Sequence, residues 1–134
     1  MISMNLKPVN LREALSTFED VYSPRIVQHL NDYDVRIAHT LGEHVWHTHD
    51  DTDEFFLVLD GEFRIALRDT DGTENTVVLR TGDTFVVPKG TEHKPSSPGG
   101  AILMLEPTGT STTGDRRTGE IPGHVDSTTG HELG

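Results

Sequence analysis

From Val35 to Leu105 the sequence breaks into short runs rich in Val, Ile, Phe and Thr, each closed within a few residues by a turn-forming cluster. That rhythm predicts strands at Val35 to Leu41, Val45 to His49, Glu54 to Leu59, Phe63 to Arg68, Thr76 to Leu79, Thr84 to Val87 and Ala101 to Leu105. The punctuation is Gly42, Asp60-Gly61, Asp71-Gly72, Gly82-Asp83, Pro88-Lys89-Gly90 and Pro98-Gly99-Gly100. Each supplies a backbone conformation that β-branched residues resist. Spacing this tight leaves no room for crossover helices, so the expected fold is an antiparallel sandwich or small barrel and not a parallel α/β sheet.

The flanks read differently. Asn10 and Glu13 have capping-box spacing, and Leu11, Leu15 and Phe18 recur at helical intervals, which predicts one short helix from Asn10 to Phe18. After Glu106 the chain turns to Gly, Thr, Ser, Pro and charge, with Ile121, Val125 and Leu133 as its only large aliphatics. Such a stretch cannot form its own core, and it is expected to be a mobile extension, the alternative being a strap laid over the barrel. The expected organisation is an N-terminal segment with the helix (1–31), a barrel (32–106) and a tail (107–134).

At 134 residues the chain suits one domain, and its 33% apolar residues cluster in the middle, where a core can form. Twenty-two acidic against 11 basic side chains give a net charge of −11, which repels phosphate backbones and anionic lipid. No nucleic-acid or membrane partner is therefore expected. Cysteine is absent, which excludes disulfides, thiolate nucleophiles and iron–sulfur clusters and leaves chemistry to His, carboxylate and hydroxyl groups. With neither a run of about 18 apolar residues nor a signal-peptide pattern, a cytoplasmic location is expected.

Chemistry concentrates between Gly42 and Glu54. His47 and His49 stand two apart in a predicted strand, so alternation puts both on one face, about 6.7 Å apart along it, and two imidazoles can converge from there on one ion through bonds of ~2.1 Å. A carboxylate from the next strand would join them, and alternation alone does not choose between Asp53 and Glu54. His93, three residues after the Pro88-Lys89-Gly90 turn, is the fourth candidate, which only folding can bring close.

These residues resemble the two motifs of single-domain cupins: a Gly, His-x-His, a Glu and a Gly, then Gly-x5-Pro-x-Gly-x2-His. The chain reads Gly42, His47-Thr48-His49, Glu54 and Gly61, then Gly82, Pro88-Lys89-Gly90 and His93. The match spans residues 42 to 93, and its flanking strands extend it to roughly 35 to 106. The resemblance implies an all-β double-stranded β-helix, an antiparallel jelly-roll barrel preceded by the short helix. It also implies a three-His, one-Glu metal site from His47, His49, Glu54 and His93, and favours Glu54 over Asp53 because the six-residue interval to Gly61 fits. Two departures stand out: four residues instead of five separate Gly42 from His47, and Ser97 replaces the Asn that often follows the second-motif His by four.

Three imidazoles and a carboxylate suit one divalent transition metal ion (Fe, Mn, Ni, Zn, Co or Cu), and ligand type does not select among them. Elsewhere the expectations are plainer. His44 and His39 are read as solvated rim residues, Asp50, Asp51 and Asp53 as a solvated acidic loop, and Arg36, Arg64, Arg68 and Lys89 as surface cations. Trp46 is expected to point away from His47 and pack against another sheet or subunit. Phe56, Val58, Phe85 and Val87 are assigned to the barrel core, and His124 and His131 receive no role.

The leading functional expectation, implied by the resemblance, is a metal-dependent enzyme acting on a small polar metabolite, with dioxygenase, isomerase and lyase chemistries all open and no catalytic base named. The alternative is a non-catalytic module that binds or senses a small molecule; a purely structural barrel is disfavoured because the ligand set is retained. A homodimer formed by sheet augmentation is the expected assembly.

Overall fold

The computed structural model describes residues 6–134, so the first five residues of the expected N-terminal segment lie outside the described residues. Helix α1 (Leu11–Leu15) opens on the predicted cap, with Asn10 Oδ1 accepting from the Glu13 amide at 2.9 Å. It ends earlier than its periodicity predicts. The Ser16 and Thr17 hydroxyls donate to the Glu13 and Ala14 carbonyls at 2.6 Å each, and His39 Nε2 donates to the carbonyls of Leu15 and Phe18. His39 is thus an anchor for the helix and not a solvated rim residue.

Among the described residues nine strands follow: β1 (Arg25–Leu30), β2 (Tyr33–Glu43), β3 (Trp46–Thr48), β4 (Glu54–Arg68), β5 (Glu74–Arg80), β6 (Thr84–Val87), β7 (Glu92–Pro107), β8 (Arg116–Thr118) and β9 (His131–Glu132). The main ladder runs β5-β4-β7-β2-β1-β9, with β3 between β7 and β8 and with β6 on β4. The fold is all-β, as expected, a roll of antiparallel strands whose sheet is not closed.

Two predicted turns are bends. Asp60-Gly61 lies inside β4 and Pro98-Gly99-Gly100 inside β7, and these two strands stay paired throughout, with register shifts at Val58/Asp60 and Glu62/Arg64. A Cβ on Gly61 would sit 2.2 Å from the Gly99 carbonyl oxygen, so the strands can cross only because that side chain is missing. Past the bend, each strand changes partner. The first half of β4 pairs with β6 and the second half with β5, which folds the long β4–β7 pair into two facing layers. Phe56, Val58, Phe63, Ile65, Leu79, Val87, Ile102 and Met104 meet between the layers.

Ser97, the departure from the family motif, holds the crossing. Its hydroxyl donates to the Glu62 carbonyl at 2.7 Å and accepts from Thr40 and from the Gly99 amide.

The tail is not a mobile extension. Strand β8 pairs with β3 and β9 pairs parallel with β1, while Val125 and Thr113 are buried. It lies over the barrel because its polar groups find partners there: Ser23 donates to Asp126, and the Asp115 amide donates to the Thr48 carbonyl at 2.8 Å. Arg36 corrects a second expectation. Far from the surface, it is fully buried, donating to Asp34 Oδ2 at 2.9 Å, Glu106 Oε2 at 2.7 Å and the Thr110 carbonyl at 2.9 Å. Arg64 and Lys89 are exposed, as expected of them. No helix among the described residues is long and apolar enough to cross a membrane.

Candidate metal centre

Strand β3 is three residues long and carries His47 in register with His93 near the start of β7, so the imidazole rings meet at 4.2 Å between centroids. His49 follows directly after β3, and Glu54 opens β4. The His47 and His49 rings lie 5.1 Å apart, those of His49 and His93 5.7 Å. One donor atom from each of His47, His49, Glu54 and His93 falls within 4.8 Å of every other, and all four residues are buried. Folding selects Glu54 over Asp53. The latter turns outward, and its Oδ1 accepts from the Lys89 amide at 2.9 Å, fixing the turn ahead of His93.

Protons can be placed from the carbonyls. His47 Nδ1 lies 2.7 Å from the Val45 carbonyl and His93 Nδ1 2.9 Å from that of Thr91. A carbonyl only accepts, so both Nδ1 atoms carry hydrogen and both Nε2 atoms offer lone pairs inward. His93 Nε2 nevertheless stands 3.0 Å from Glu54 Oε1, and His49 Nε2 lies 3.4 Å from Glu54 Oε2 with no hydrogen-bond partner. Lone pairs facing at that distance need a cation or proton between them. Two neighbouring donors at right angles about an ion, each at ~2.1 Å, would stand about 3.0 Å apart. The cluster therefore fits a transition metal ion and could bind one.

Electrostatics of the metal-free cluster favour the ligand forms of His47 and Glu54 and the protonated form of His49. Burial, reinforced by His93, holds the His47 imidazole well below its ordinary value, which keeps it neutral. Burial also opposes charge on Glu54, but the neighbouring Glu106, His49 and His93 outweigh it and the carboxyl titrates well below the usual range. Against its own burial, His49 is lifted by Glu54.

Beside the cluster a cavity of about 30 Å³ is walled by Tyr22, Ala38, Phe56, Phe63, Ile102 and Met104, with His44, His47, Glu54 and Glu106 at its polar end. Of the four residues assigned to the core, Phe56 faces this space. His44 is not a solvated rim residue: it is 7% exposed, and burial pushes its imidazole down to about 4. Glu106 escaped the sequence reading altogether. Burial and the neighbouring Glu54 push its carboxyl well above the usual range, although Arg36 opposes them. Alternation from Ile102 and Met104 carries Glu106 to the same inward face, and that was the available signal.

Outside the cavity, Trp46 turns away from His47 as expected and lies under the Arg68 guanidinium at 3.9 Å. Asp50 accepts from Arg116 and its amide donates to Asp115, so part of the acidic loop is tied to the tail. His124 donates to the Glu43 carbonyl at 2.8 Å and His131 meets Asp126 at 2.7 Å; neither reaches the centre.

A family model described as a cupin domain matches residues 35–106. Among curated proteins the chain is similar to the uncharacterized protein YdbB of Bacillus subtilis (strain 168), 36% identical over 91 residues, 68% of this chain and 77% of that one. Among solved structures, it resembles a cupin-2 domain containing protein from Shewanella frigidimarina NCIMB 400 (39% identity, TM-score 0.71, covering 78% of this chain and 99% of that one). A hydroquinone 1,2-dioxygenase from Sphingomonas sp. TTNP3 shares the fold, at 21% identity and a TM-score of 0.61 over 73% of each chain.

Proposed function

The chain belongs to the cupin family, and from that premise we propose that it binds one divalent transition metal ion through His47, His49, Glu54 and His93 and works as a metal-dependent enzyme on a small polar metabolite. The observation that carries this reading is the inward convergence of lone pairs, with His49 Nε2 buried and unpartnered beside Glu54. When bound, such an ion supplies Lewis-acid or redox chemistry at positions the four side chains leave open. The chain's own part is to fix the ligands. The Val45 and Thr91 carbonyls lock two imidazoles in one tautomer, and apolar walls exclude bulk water.

Elemental analysis of protein purified without chelator or affinity nickel tests the proposal. About one equivalent of a transition metal is expected, falling below a tenth in His47→Ala and His93→Ala; a metal-free parent that takes up none on addition would refute it. A second reading is a non-catalytic ligand-binding or sensing module. Turnover lost together with the metal separates the two.

We propose the homodimer as well. Support comes from exposed Leu30, Tyr33 and Val86, which line one outer groove with Phe55 and Leu105. Solution scattering is expected to give twice 14.8 kDa.

A further inference from the structure

The cavity beside the four ligands has few polar side chains, and their hydrogen-bonding capacity can be accounted for one by one. The Tyr22 hydroxyl donates to the Gly42 carbonyl at 2.7 Å, and the Thr112 hydroxyl donates to the Asp126 carbonyl at 2.6 Å. Glu106 accepts from Arg36, Glu54 faces His93 Nε2 at 3.0 Å and His49 Nε2 at 3.4 Å, and His47 spends its Nδ1 proton on Val45. His44 is left. Its Nδ1 accepts from the buried Val45 amide at 2.9 Å, so the ring proton sits on Nε2, for which the described residues provide no acceptor. Tyr22 packs edge-on against the ring at 5.2 Å between centroids and His47 lies at 5.0 Å, which restricts its rotation.

We infer that His44 is a ligand-contacting residue of this site, whose Nε2–H donates a hydrogen bond to a small ligand bearing a lone-pair acceptor, such as a carboxylate or another small anion, held at the open side of the metal centre. The inference deepens the proposed function and rests on it for the ligand's second anchor, but the tautomer it requires belongs to the protein alone. A donor on a side chain that lines the cavity, with no partner in the protein, is matched when a ligand or water enters, and beside apolar walls that bond discriminates for molecules able to accept it.

Two measurements test it. In metal-free protein at pH 7, long-range ¹⁵N–¹H correlation of the imidazoles is expected to show His44 as the Nε2–H tautomer; an Nδ1–H tautomer overturns the inference. This needs no variant, so it stands even if a substitution fails to fold. In cobalt(II)-loaded protein titrated with azide and followed by visible absorption, His44→Phe is expected to weaken azide binding fivefold to tenfold with cobalt content unchanged, and His44→Gln, which keeps an N–H donor, to recover part of the loss. Equal azide affinity in the parent and His44→Phe overturns the inference while leaving the metal reading intact. Cobalt lost from folded His44→Phe would make His44 a metal ligand and overturns it too. A parent protein that takes up no cobalt overturns the proposed function and, with it, the ligand role of His44.

Discussion

Arg36 carries a permanent charge with no solvent contact, and its neighbours Asp34 and Glu106 are buried with it. Taking that guanidinium away leaves two carboxyl groups without their cation, so Arg36→Met is expected to lower unfolding free energy by about 3–5 kcal/mol, read from urea denaturation. His44 gives a pH signature. Its folded value is about 4 against an ordinary 6.5, so between those limits the unfolded chain takes up a proton that the folded one refuses. Stability of the metal-free protein should therefore fall as pH drops from about 6.5 towards 4, by on the order of 3 kcal/mol from this residue, and the slope should flatten in His44→Phe. Thermal melts of the two proteins across that range check it. The cluster of His47, His49, Glu54 and His93 was legible in the sequence because motif glycines and histidines agree at two separate places. Arg36, Asp34 and Glu106 were not, since charged residues on a strand are ordinarily taken to face water, and only the tertiary pairing shows that all three face in together.

At the scale of elements, strand runs were readable from composition, but a glycine between two runs does not say whether the chain reverses or merely bends. Gly61 bends. Its substitution by Ala meets the Gly99 carbonyl at 2.2 Å as well as a left-handed backbone, whereas Gly72, also left-handed, has nothing within 4 Å. Gly72→Ala is expected to cost about 1–2 kcal/mol and Gly61→Ala at least 2 kcal/mol more, measured as the difference between their denaturation midpoints. The short strands β8 and β9 have no apolar alternation of their own, and neither was predicted; they are strands because an edge was waiting for them. Gly114 makes the first docking possible, since a Cβ there would lie 2.6 Å from the Thr48 carbonyl and 3.0 Å from the His47 ring. Gly114→Val should push the tail off β3 and loosen His47 behind it, seen, on the proposed metal role, as faster metal loss to a chelator with the barrel's circular dichroism retained.

Across the whole molecule, the barrel and tail form one hydrogen-bonded unit through Arg36 and the Thr110 carbonyl. Hydrogen exchange is expected to show Thr113 and Val125 amides protected within the same order of magnitude as the strand interior; exchange at loop rates would contradict the packing of the tail. Strand β9 has a further part to play. The His131 and Leu133 amides bond to the Pro24 and Ile26 carbonyls, covering the outermost rail of the main ladder. Clip those few terminal residues and β1 is left with a bare row of acceptors along an extended margin, the sort of seam along which one molecule can stitch itself to the next.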